Sequence, residues 1–551
     1  MTIELAKYML LGQGGKAPEK YWMNEVFVNT TSSFGNGFED GNMRPAHVSQ
    51  NGDVYFIWIV KDDELLPTYY EGHNNVVVFK ISKEGDLEFV KNTYLHANNN
   101  PNSGGSHSEH YPRGYNNGGG KKGTGRSDKL MWEAEYYSQN QGRGAGCFEW
   151  DTNTDEWSFA GAGGSNWTRH RYTKDKDGNI RSTGRRISGG SSTRSGAYVN
   201  GANGSTFKWR EYNNHPTDIA CDGNNNTYVV GNGYFGGSSN QNNMQYIIKL
   251  DSSDSNSYDW FRRHYPSNTS SSMNSEICAV TCNGNNDVYA LFHSMSSGSH
   301  KSGVVVKFNS SNGNIDKWYG IKDDEEYGVP HSAFDVDDDG NVYTLHASIT
   351  KIELGSNNQD AHLWFLIKRN ASGTVQFTRL IIAQYNGASS TDTSKIISNF
   401  GGFTNQYRGG ITVYNDSIYL SLPSAQRINT SSENNYAGNY QMMVNMKVPI
   451  DGSGHSTTPR QLGRSQIIYS DTSIRGSNID YDFGYGTSSS GMSSYGVELD
   501  TDWAPTSDTS LGSGSNGLDT YLLSDGYRGE RNWTVSTNSY TFTGDKYDFP
   551  D

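Results

Sequence analysis

Short apolar runs alternate along this chain with clusters of Gly, Asn, Asp and Ser, and no long stretch repeats its apolar residues at helical spacing. One pattern recurs: HVSQNGDVYFIWIV (47–60), DIACDGNNNTYVVGN (218–232), AVTCNGNNDVYALFH (279–293), FDVDDDGNVYTLHA (334–347) and ITVYNDSIYLSL (411–422). Each reads as a short strand, an Asn/Asp/Gly turn, and a second strand opened by an apolar residue or Thr and then Tyr. A second pattern follows each: NVVVFKISKEGDLEFV (75–90), QYIIKLDSSDSNSYDWF (245–261), GVVVKFNSSNGNIDKWY (303–319), LWFLIKRNASGTVQFTR (363–379) and MMVNMKVPIDGSG (442–454). Here a β run ends in Lys80, Lys249, Lys307, Lys368 or Lys447, and in most copies a polar turn leads to a fourth strand carrying an aromatic residue. Four hairpin-linked strands per unit are the expectation.

The anchor tyrosines are Tyr55, Tyr228, Tyr289, Tyr343 and Tyr419, and from the second onward they lie 61, 54 and 76 residues apart. These periods lie near or above that of propeller blades, the excess sitting in loops. The 173 residues between Tyr55 and Tyr228 hold room for two more units. Weaker copies stand there: KLMWEAEYYSQ with GCFEWDTNTDEWSF (129–159), and KDGNIRSTG with AYVNGANGSTFKW (176–209). The predicted fold is all-β, a β-propeller of seven four-stranded blades with a small C-terminal β-rich extension. Residues 1–45 form an N-terminal segment, 46–465 the propeller with a long loop insertion at 96–128, and 466–551 a docking or ring-closing extension. KYMLL (7–11) and EVFVNT (25–30) are candidates for a strand that closes the ring, which would remove exposed edges.

Over about residues 20–465 the repeat resembles β-propeller proteins whose units read D-x-x-G-N-x-Y, then a V-x-K strand and a G-x-x-x-W turn. Neither a WD dipeptide at blade spacing nor an S-x-D-x-G-x-x-W box is present, so the resemblance implies blade geometry and no enzymatic subfamily.

Composition agrees: 33% of residues are hydrophobic and 19% charged, with 64 Gly and 36 Tyr among the 551. A net charge of −14 without a basic domain argues against nucleic acid or an anionic membrane as partner. Cys147, Cys221, Cys278 and Cys282 lack the spacing of a zinc site or a disulfide framework and read as buried thiols. The N-terminus carries no basic start followed by an apolar core, and no apolar run is long enough to span a bilayer.

Asp335, Asp337, Asp339 and Gly340 have the spacing that opens an EF-hand calcium loop, but His346 stands where the twelfth-position Glu belongs and no helix flanks the loop. The matching positions of sister units, such as Cys221, Gly223 and Asn225, cannot form one common cage. The motif reads chiefly as a turn, calcium at Asp335, Asp337 and Asp339 being the secondary reading; no other cofactor is expected. His107, Glu109 and His110 fit no established zinc spacing and read as part of a solvated loop. Nearby Tyr111 and Tyr115, with Trp167, Arg169, Arg171 and Tyr172 in the cationic stretch 166–186 that also holds Arg181, Arg185 and Arg186, are the candidate binding residues, for an anionic or polar-aromatic surface contact.

No nucleophile elbow, P-loop, HExxH helix, CxxC pair or dinucleotide fingerprint occurs. Composition, the missing export signal and the polar β extension are similar to those of structural proteins in the virions of marine tailed phages. That resemblance implies a tail, fibre or capsid appendage. Its propeller would present loops for host-surface attachment or scaffolding, in many copies beside other virion proteins, without nucleic acid or membrane insertion. A propeller-fold polysaccharide hydrolase or lyase, and a cell-surface adhesin or filament subunit, are the alternatives.

Overall fold

The computed structural model describes residues 21–29, 47–49, 51–61, 74–93, 109–113, 129–138, 142–162, 167–187, 194–200, 206–209, 212–234, 244–250, 252, 257–264, 279–295, 301–323, 328–354, 357–385, 410–428, 438–462, 465–472, 481–500 and 541–548; in parts of several strands only the backbone is described. These residues build seven antiparallel sheets, and helix among them is confined to short 3-10 turns such as Met492–Tyr495. The protein is a β-propeller.

Each sheet is a meander in chain order. The first comprises His47–Val48, Val54–Lys61, Asn74–Ile81 and Leu87–Thr93; the second Glu109–Arg113, Lys129–Ser138, Gly142–Asp151 and Glu156–Ala162; the third Trp167–Lys174, Ile180–Ile187, Arg194–Asn200 and Thr206–Trp209. The fourth comprises Tyr212–Cys221, Thr227–Tyr234, Met244–Leu250 and Trp260–His264; the fifth Ala279–Cys282, Val288–Met295, Lys301–Phe308 and Ile315–Asp323; the sixth Gly328–Val336, Val342–Leu354, Asn357–Arg369 and Val375–Tyr385. The seventh takes Gly410–Tyr414, Ser417–Ile428 and Gly438–Pro449 from one end of the chain and Trp22–Asn29 from the other, with Trp22 opposite Lys447. First strands of the third to seventh sheets pack against one another in succession, which turns them toward a common axis.

After Pro449 the chain reverses direction around the rim. Ser456–Gln461 and Ser465–Ser470 extend the sixth sheet, Tyr481–Gly486 the fifth and Leu499–Asp500 the fourth, and Thr541–Asp548 then pairs with Trp22–Asn29 in the seventh.

The turn chemistry explains the repeat. Between first and second strands the backbone closes twice over the same residue: Asp337 N–H donates to Asn341 O at 3.2 Å and Gly340 N–H to Asp337 O at 3.1 Å, and Ser49, Asp175, Asp222 and Asn283 do likewise. This is a type I turn followed by a left-handed residue. That residue is Gly52, Gly178, Asn225, Asn286 or Gly340, each with positive φ. Gly and Asn are the residues that tolerate this conformation most readily.

The core lies between sheets. Side chains of the third and fourth sheets form one cluster, those of the fourth and fifth another joined by Met492, Tyr495 and Val497 of the tail, and those of the sixth and seventh a third. Alternation along each strand therefore buries both faces.

Candidate functional site: the turn face and the rim

The lysines of the second pattern face the anchor tyrosines. Tyr55 lies opposite Lys80, Tyr228 opposite Lys249, Tyr289 opposite Lys307, Tyr343 opposite Lys368 and Tyr419 opposite Lys447. In four of the five the ammonium sits 5.1 to 5.9 Å from the ring centroid. Carboxylates complete the arrangement, Lys249 meeting Asp259 and Lys307 meeting Asp287 at 2.8 Å. Such cross-strand cation–π pairs hold a sheet together and engage the lysines that form them. Burial, reinforced by nearby carboxylates, pushes the hydroxyls of Tyr55, Tyr228, Tyr289 and Tyr343 well above the ordinary tyrosine range.

The first residue of each turn is a cap. Asp337 accepts from Asn341 N–H at 2.8 Å, Asn341 Nδ2 at 2.7 Å and the Tyr343 hydroxyl at 2.9 Å, and Asp222 repeats the pattern with Asn226 and Tyr228. The third sheet has Arg181 where its sisters have Tyr; its guanidinium meets Asp175 at 3.1 Å, both side chains fully buried. Neighbouring turns are bonded too. Asn225 donates to Asp177 at 2.5 Å, Gly223 N–H to Asn286 at 2.6 Å and Gly284 N–H to Asp338 at 2.8 Å, a polar belt over the third to sixth sheets.

The calcium reading meets this geometry directly. Buried Asp335 accepts from Val336 N–H at 2.9 Å and, across the sheet boundary, from Val413 N–H at 2.8 Å. Asp337 is filled by the turn, and Asp339 points to solvent. Their oxygens do not converge, and among the described residues no group of three His, Cys, Asp or Glu side chains is placed to hold a metal. The hairpin registers also move the repeat alignment by one residue: opposite the anchor tyrosines stand Asp335 and Ala220, so Asp337 corresponds to Asp222 and Asp339 to Asn224.

The binding candidates separate. Arg171 and Tyr172 are only 3% and 6% exposed, and Arg171 Nε donates to Thr217 O in the next sheet at 2.9 Å; sheets packed on both faces of the strand hold this pair in the interior and away from an outer binding surface. Arg181 is likewise interior. Trp167 and Arg169 lie in strand Trp167–Lys174 and Tyr111 in Glu109–Arg113, with side chains outside the described residues; Tyr115 is outside them altogether.

The rim holds what sequence reasoning missed. Phe483 and Tyr485, each 37% exposed, are large apolar side chains on the outermost strand of the fifth sheet. Beneath them Arg369 of the sixth sheet is fully buried. Its Nη1 donates to Gly320 O at 2.8 Å and Gly484 O at 3.3 Å, and the guanidinium lies 5.5 Å from the Tyr319 ring and 5.7 Å from that of Phe483. Nε and Nη2 have no hydrogen-bond partner among the described residues. Burial pulls this guanidinium down to about 10. The available signal was YDFGYG (481–486), aromatic residues at every second position of a strand whose other positions are small or acidic.

Known proteins add little to this picture. No family model and no curated protein matches the chain. Among solved structures the chain is similar to the phage phi92 endosialidase (10% identity, TM-score 0.38, covering 77% of this chain and 69% of that one). It is also similar to the polysaccharide lyase Uly1 (10%, 0.35, 82% and 96%) and to the WD40 domain of SCAP from fission yeast (9%, 0.29, 76% and 98%). Such identities and scores fall below what a shared family or activity requires.

Proposed function

We propose that the protein is a structural component of a phage particle, the propeller module of a tail, fibre or capsid appendage. In this reading it is made in the host cytoplasm and carried in the virion in several copies beside other virion proteins. It presents loops to a host-surface glycan or protein, or holds other particle proteins apart. The observation that carries the reading is the use made of buried charge. Asp175 with Arg181, Asp335 with Val413 and the Tyr–Lys pairs all tie strand to strand or sheet to sheet, as a rigid scaffold requires. The retrograde tail supports it as well, since one stretch of chain pairs in turn with the sixth, fifth and fourth sheets and ties them together.

The test is peptide mass spectrometry on density-purified particles, calibrated against proteins of known copy number. Recovery at fixed stoichiometry is expected, and the copy number separates a tail part from a capsid decoration. Absence from particles overturns the proposal and moves a glycan-active enzyme or a cellular adhesin ahead of it.

A further inference from the structure

Arg369 is an anomaly that packing does not explain. A buried cation ordinarily has a carboxylate partner and a filled donor set, because leaving the charge alone in a low dielectric is costly. Arg369 has two carbonyls and two aromatic rings, no ion pair, and two unused donors. The guanidinium carrying them lies 5.7 Å from the ring of Phe483, which is 37% exposed on the rim strand Tyr481–Gly486. Tyr485 stands two positions along on the same face, its ring 5.6 Å from that of Tyr319. Alternation turns Asp482 to the opposite face, away from the guanidinium.

We propose that this rim boundary between the fifth and sixth sheets binds a carboxylate-bearing sugar, with Arg369 taking the carboxylate and Phe483 and Tyr485 stacking on the sugar rings. The proposal names a ligand class for the attachment role above and rests on that reading for its biological setting. Nε and Nη2 are adjacent donors of one planar fork, the geometry that takes both oxygens of a carboxylate. Two aromatic side chains two positions apart on one strand suit consecutive saccharide units. In this proposal Phe483, 37% exposed, rotates outward to admit the carboxylate. The net charge of −14 repels anions at long range, so selectivity comes from the buried cation at contact and changes little with salt.

The experiment is calorimetric titration of the full chain with trigalacturonate as probe and galactotriose as the neutral control, at low and high salt. Binding of the acidic sugar alone, with an affinity shifting less than about threefold between salts, is the expected result. Phe483→Ala and Tyr485→Ala, both at half-exposed positions, should each weaken it by about tenfold, and Arg369→Met should abolish it with far-ultraviolet circular dichroism unchanged. If Arg369→Met does not fold, the two rim variants and the neutral control still decide the matter. No heat with trigalacturonate, equal binding of both sugars, or insensitivity to the rim variants overturns the proposal. Particle proteomics is independent: sugar binding without virion incorporation sinks the particle assignment alone, and incorporation without binding sinks this site alone.

Discussion

Two boundaries between sheets solve one packing problem with different parts of the chain. Between the fourth and fifth sheets, Trp260 lays its indole on Gly313, where a Cβ would fall 2.5 Å from the ring, and donates to Ser310 O at 3.1 Å. Phe377 on Gly452 and Trp22 on Gly85 repeat the arrangement at the next two boundaries with an aromatic residue on the fourth strand. Between the fifth and sixth sheets the matching position, opposite Lys307, is Lys317. The ring on Gly373 is there Tyr485, brought in by the tail, while Lys317 donates to Ala371 O at 2.9 Å. Trp318, one residue on, turns to the other face and holds the tail through Ser488 O at 2.8 Å. At these four boundaries the glycine is constant, whereas the ring that covers it is interchangeable in origin. A tail that supplies a blade's own missing ring belongs to the propeller.

The contrast is sharpest under substitution. Trp260→Ala should cost about 3 to 5 kcal/mol in urea unfolding, because the indole is buried and its cavity cannot collapse. Tyr485→Ala should cost about 1 kcal/mol, since that ring is partly solvated already. Equal losses would show that the tail ring is as deeply built in as the repeat ring. Next in size is Arg181→Met in the third sheet, which leaves Asp175 buried and without its cation. A loss of about 3 kcal/mol is expected, against about 1 kcal/mol for Tyr343→Phe, which removes one hydroxyl from Asp337. The comparison fails if the arginine proves no more valuable than the tyrosine it replaces.

The last effect is alkaline. The hydroxyls of Tyr55, Tyr228, Tyr289, Tyr343, Tyr319 and Tyr469 titrate above their unfolded value of 10 because the fold buries them. The unfolded chain therefore loses these protons first, and stability that is complete below pH 10 declines above it, by up to about 1.4 kcal/mol per pH unit for each tyrosine. Tyrosinate absorbance at 295 nm should rise together with loss of the β signal in circular dichroism. A rise that precedes unfolding would show the rings to be open to water.

What the sequence discloses is the part of the molecule that repeats. Tyr and Lys recur because each hairpin needs the same cross-strand pair, and Asn, Asp and Gly recur because each turn needs the same left-handed residue, so the all-β propeller class is legible. The alignment slips by one residue at Cys221, Gly223 and Asn225 because the Asn-rich turns carry no unique landmark; only the register opposite Tyr228 fixes it. Arg171 and Tyr172 look like surface residues because a cation and a phenol usually are, yet their strand is covered on both faces by neighbouring sheets. The tail is illegible for a different reason. Its strands pair with sheets completed far earlier in the chain, and no local pattern records a partner at that distance. Phe483, Tyr485 and Arg369 come together only through that long-range pairing.

The reversed course of the tail also sets an order of events at the ribosome. The fifth sheet has its own four strands once Asp323 is made, but Tyr481–Gly486 arrives more than 150 residues later, and the fourth sheet waits from His264 until Leu499. At about 5 to 20 residues per second, the rim edge of the fifth sheet stands open for roughly 8 to 30 seconds on every nascent chain. Neighbouring nascent chains on one message are then close enough to pair edge to edge, so slow, well-spaced initiation should favour soluble ring over aggregate.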